Sequence, residues 1–389
     1  MKNVLHPKVL LLSAFLGLFS CDDENEKPSL RARIDYSTLT SETVYADLFV
    51  DASGASTVDF SEGNDRLQMF QALNYHSTSN ISAETAIDAA TLADMFSNTG
   101  NPFYDISTST TNVSGEDLNS SNVQLRNVVG SSLPAAEAEA VREKIEGYFT
   151  EIQTASQSVT STASQGVAGK LDKYLVDERG IEIAQVIQKS LIGALQLDYI
   201  GNVLLDEGLN ADNTETVSDK NYTQLEHNWD EAYGLLTLNP IYLHGSTDAT
   251  RGTTEFGAGS YIWEYNKANY AEIYPSFLKG RAAIVNNDRE QYQAVATFIR
   301  TEIEKTIANA ALGYLDKWKT GTTDAARAHA IAEGLGFIYS LRFATLHGGN
   351  AAFSDEILAN LIGSANGFWD LDATKVNAAS EAIKGKFNL

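Results

Sequence analysis

One cysteine in 389 residues rules out a disulfide within the chain. Only six prolines interrupt it, which favours helix over a sheet-rich fold. Basic residues are scarce: 28 Lys and Arg stand against 51 Asp and Glu, giving a net charge of -23. Such a surface repels phosphate backbones and anionic headgroups, so no nucleic-acid partner is expected. After the first twenty residues no apolar run is long enough to cross a bilayer. Also missing are His-Glu-x-x-His, Gly-x-Ser-x-Gly and a glycine-rich phosphate loop with Lys.

What is present is a globular composition, 43% hydrophobic, with enough apolar material for one large core or two modest ones. Residues 1–20 read as a secretory signal: Lys2 and Lys8 precede the apolar run from Val9 to Leu18. Residues 21–35 read as an acidic linker that begins Cys21-Asp22-Asp23-Glu24. From Tyr36 to Phe60 short alternating pieces predict a small extended strap. Helical patterns then dominate. Predicted helices begin at Ser61, run from Ser82 to Phe96, open at Leu133-Pro134 and continue to Ser156, and span Glu182 to Leu205. Residues 97–132 and 236–255 read as long loops. A stripe from Tyr292 to Tyr314 and another segment from Ala325 to Leu346 complete an all-α pattern. The expectation is two packed helical bundles, a half over 36–222 and a half over 223–389.

The densest functional signal is Glu226-His227-Asn228-Trp229-Asp230-Glu231-Ala232-Tyr233. On a helix, His227 and Glu231 share a face, as do Glu226 and Asp230. His329 and Glu333 repeat the His–Glu spacing about a hundred residues later. A neutral imidazole one turn from a carboxylate is half of a divalent-metal site. If the two helices converge, His227, Glu231, His329 and Glu333 form a set suited to Fe, Zn or Mn. Glu226, Trp229, Asp230 and Tyr233 would then line the surrounding ligand site. The plainer reading makes the same residues a buried hydrogen-bond network and the aromatics core. Gly334 and Gly336 each weaken a helix by about 1 kcal/mol relative to Ala, so they mark a close approach of a helix or a ligand.

Several of these segments resemble known patterns. Leu18-Phe19-Ser20-Cys21 resembles a bacterial lipobox, which implies cleavage before Cys21 and lipidation of its thiol. The acidic cluster after it resembles the surface-export signal of Bacteroidetes lipoproteins, which implies an outer-membrane anchor and exposure at the cell surface. Tyr222-Thr223 with Glu226–Gly234, the stretch His329–Leu341, and Val58-Asp59-Phe60-Ser61 with Arg66-Leu67 resemble a Bacteroidetes lipoprotein family, the domain of unknown function numbered 4856. In general plan that family is similar to imelysin-like proteins. This similarity implies a binding protein of the iron-uptake or polysaccharide-binding kind. Two other roles stay open: a metal-dependent or carboxylate-based hydrolase acting on glycans or peptides, and a structural lipoprotein.

Overall fold

The computed structural model describes residues 30–238 and 255–389. The predicted signal segment, Cys21 and most of the predicted loop over 236–255 lie outside the described residues. Within them the chain is mainly helical: α1 (Tyr45–Leu48), α2 (Ser61–Ser82), α3 (Ala89–Ser97), α4 (Gly115–Ser120), α5 (Ala135–Ser156), α6 (Ile183–Leu191), α7 (Gln224–Leu236), α8 (Ala258–Tyr265), α9 (Lys267–Val285), α10 (Arg289–Thr320), α11 (Asp324–Ser340), α12 (Ala351–Ile362) and α13 (Ala373–Phe387). Two small antiparallel hairpins are the named strands, β1 (Ile106–Ser107) with β2 (Asn112–Val113), and β3 (Gly169–Leu171) with β4 (Tyr174–Val176). No described helix is long and apolar enough to cross a membrane.

The stretch expected to be an extended strap, 36–60, is only partly extended: Tyr36–Thr38 is a 3-10 turn, Tyr45–Leu48 is α1, and Val50 makes a single antiparallel bridge with Ser56. Arg31 donates to Glu226, the Ile34 N–H to Asn286, and the Tyr36 hydroxyl to Asp288 at 2.8 Å. The Tyr274 hydroxyl donates back to the Thr43 carbonyl. These bonds tie the N-terminal strap to α7 and to the α9–α10 corner.

Helix boundaries moved where local bonding competes with pattern. The predicted helix over 82–96 does not begin at Ser82. Instead α2 continues through Ser82, its buried stripe extending to Ile81, and Glu84 turns the chain at φ 56°. The next helix starts after Asp88, whose carboxylate caps the Ala90 N–H. The predicted helix over 182–205 is α6 followed by a π-helical continuation from Ile192 to Leu204. Such wide turns are rare. This one carries buried polar side chains: Gln196 donates to the Leu235 carbonyl at 2.9 Å and accepts from the Ala258 N–H at 2.8 Å, joining the end of α7 to the start of α8.

The two halves expected on either side of residue 222 share one core rather than owning one each. α2 packs along α7, and α6 packs along α11. Gly336 permits the second crossing, since a Cβ there would lie 2.5 Å from the Lys189 Cβ and 3.0 Å from the Val186 carbonyl oxygen. Gly63 does the same for the first, where a Cβ would lie 2.4 Å from the Glu231 carbonyl oxygen. Gly334, by contrast, meets only an ordinary contact with Tyr314.

Candidate functional site

α7 begins with a capping box. Thr223 accepts the Glu226 N–H at 3.1 Å, and Glu226 accepts the Thr223 N–H at 2.8 Å. Glu226 also takes two bonds from Arg31 and one from Arg281. Burial raises its pKa, but Arg281, Arg31 and the Thr223 N–H outweigh burial and hold the carboxyl below its ordinary value. Asp230 sits one turn on, fully buried, and accepts from the Tyr45 hydroxyl at 2.9 Å and Arg281 Nε at 3.0 Å. There burial wins over the Arg281 charge and pushes the carboxyl up to about 7. Glu226 and Asp230 are thus occupied by the arginines and the strap. Trp229 is fully buried and donates its indole N–H to the Phe277 carbonyl at 3.0 Å; Tyr233 stacks on Tyr45. Both aromatics belong to the core.

His227 and Glu231 face the start of α2. The His227 ring stacks on Tyr222, with centroids 4.8 Å apart, and is buried. Its Nδ1 is buried without a hydrogen-bond partner. Burial lowers the His227 pKa against the pull of Glu62 and Asp59, so the ring is neutral at neutral pH. Glu231 is bonded by Arg66 and, at 3.4 Å, by the Tyr199 hydroxyl. Burial nevertheless pushes its carboxyl up to about 7, with Arg66 acting in the opposite direction. Glu62, on the first turn of α2, completes the group. One ligand atom each from Glu62, His227 and Glu231 lie within 4.8 Å of one another.

His329 and Glu333 are outside that group. His329 stacks on Tyr174 with centroids 4.1 Å apart. Its Nδ1 bonds Glu182 at 2.7 Å, and its Nε2 lies 3.8 Å from Glu333. Glu333 is paired with the buried ammonium of Lys189 at 3.0 Å. Burial opposes that charge, yet Tyr261 and Glu333 hold the lysine pKa above its ordinary value. His329 and Glu333 open onto a cavity of about 470 Å³ shared with Tyr174, Tyr314 and Lys317. The predicted four-residue set is therefore two separate pairs with no common partner among the described residues. Each pairs its glutamate with a different cation and its imidazole with a different tyrosine.

Spacing alone missed Glu62, the third member of the first group. It lies four residues before Arg66, inside the N-terminal stretch that carried the family resemblance, and that stretch was the available signal.

The family model described as domain of unknown function DUF4856 matches residues 48–389. The chain belongs to the DUF4856 family. The match covers all three residues of the Glu62–His227–Glu231 group and the whole of the second His–Glu pair. No curated protein and no solved structure matches the chain.

Proposed function

We propose that this DUF4856 chain is a lipid-anchored envelope protein that binds a divalent metal between α2 and α7. The observation that carries the reading is the convergence of Glu62, His227 and Glu231 around an imidazole with an unpartnered buried nitrogen. One neutral imidazole and two carboxylates suit Fe, Mn or Zn. Arg66 bonds one edge of Glu231 and so limits the negative charge of the group. Anchorage at Cys21, outer-membrane location and surface exposure rest on the lipobox-like segment and the acidic residues after it. The expected resemblance in general plan to imelysin-like proteins is the reason to try iron first.

The test is elemental analysis of the full chain purified without chelators. The expected result is one metal per chain in the wild type, lost in Glu62→Gln and in His227→Ala, and kept in His329→Ala. A folded wild type that takes up none of the three metals overturns the reading. It would leave Glu62, Arg66 and Glu231 as a structural ion-pair network.

A further inference from the structure

A second feature lies away from both His–Glu pairs. Two adjoining cavities, of about 310 and 480 Å³, follow the seam between α5, α11 and α12 and share Lys144, Tyr339 and Asp355. The smaller has an aliphatic floor, supplied by Ile183, Val186, Leu335, Leu358 and Ile362. Tyr339 is 3% exposed, and its hydroxyl is buried without a hydrogen-bond partner. An unpaired buried hydroxyl costs about 1–3 kcal/mol, so its persistence beside a cavity points to a partner that arrives from outside.

The rim carries both signs of charge. Lys144 makes no ion pair among the described residues and lies 4.6 Å above the Tyr148 ring. Arg179 is fixed by a bond to the Ile362 carbonyl. Asp177 accepts the N–H groups of Arg179 and Ile181 through one oxygen, at 2.9 and 2.8 Å, and Glu151 stands at the same mouth. Both rings are buried, and a cation covers one face of each, Arg342 at 3.7 Å above Tyr339 and Lys144 at 4.6 Å above Tyr148. A sugar ring therefore finds no bare aromatic face to stack on. A fatty acid would match the floor but leave the rim carboxylates unanswered.

We propose that this groove binds a short peptide with aliphatic side chains and free termini. The side chains lie on the Ile–Leu–Val floor, and a peptide amide pairs with the Tyr339 hydroxyl. The terminal carboxylate faces Lys144 and Arg179, while the terminal ammonium faces Asp177 and Glu151. The assignment does not depend on the metal group, with which it shares no residue.

Calorimetric titration of the full chain with tri-leucine tests it. Saturable binding with a Kd below about 1 mM is expected. Tyr339→Phe should weaken binding about tenfold without lowering Tm, because it removes a hydroxyl that is unpaired in the free protein. Ala359→Trp, at an exposed position on the groove wall, should abolish binding while leaving the fold intact. Acetylating and amidating the peptide should weaken it about tenfold. Absence of saturable heat from tri-leucine overturns the proposal. So does wild-type affinity in Ala359→Trp, or binding of maltotriose or laurate in its place.

Discussion

The two His–Glu pairs have the same spacing, each stacks its imidazole on a tyrosine, and each braces its glutamate with a buried cation. They differ in what the imidazole meets next. His329 bonds a buried glutamate, Glu182, and opens onto a cavity. His227 bonds nothing through Nδ1 and looks toward Glu62. One imidazole is already satisfied, and the other is held neutral with a free nitrogen. Helical spacing sets up a pair, while the third group, contributed by a distant part of the chain (Glu62 on α2, Glu182 just before α6), sets its chemistry.

Removing the cations should separate the two pairs most sharply. Lys189→Met should strand Glu333 and lower stability by about 3 kcal/mol, since it breaks a buried ion pair. Arg66→Met should cost less, because Glu231, already pushed up to about 7, can take a proton instead. Urea denaturation of both variants measures the difference, and equal losses would show that the two glutamates are held alike. The imidazoles come next. His329→Ala leaves buried Glu182 unpaired and should cost about 2 kcal/mol, whereas His227→Phe keeps the stacking on Tyr222 and should be close to neutral when both proteins are compared after chelator treatment. A larger loss for His227→Phe would mean that its nitrogen has a partner after all.

A smaller effect is expected from pH. Glu231 has its carboxyl raised from 4.5 to about 7 by burial, against the pull of Arg66. Its contribution to stability is therefore fully present below pH 4.5 and is lost as pH rises through about 7. Glu231→Gln should flatten the fall in stability across that window, as read from melts at its two ends; an unchanged slope would place the titration elsewhere. The smallest change is in the cap. Thr223→Ala removes half of the capping box at the start of α7 and should cost about 1 kcal/mol, with the metal group unaffected.

Much of the helical plan was legible in the sequence. Periodicity located α5, α7, α10 and α11, and Gly336 was read correctly as a point of close approach. The stretch over 82–96 misled because Ser-Ala-Glu-Thr has the form of a helix start, while the stronger cap was Asp88. The π-helical turns after Leu191 have no apolar signature of their own, since a segment buried at all but two positions, Tyr199 and Val203, loses its stripe. In the site, the sequence picked His227 and Glu231 but paired them with His329 and Glu333 rather than with Glu62.

The sequence by itself determined which residues share a helix face, because a helix of 3.6 residues per turn fixes neighbours within one turn. It also determined where α7 starts, because the capping box is local. Only the tertiary structure decided the partners. Arg66 reaches Glu231 across 165 positions of chain, and Glu182 reaches His329 across 147. Those encounters depend on how α2 crosses α7 and on where the chain entering α6 meets α11. The crossings follow from packing the whole core, which no local pattern specifies.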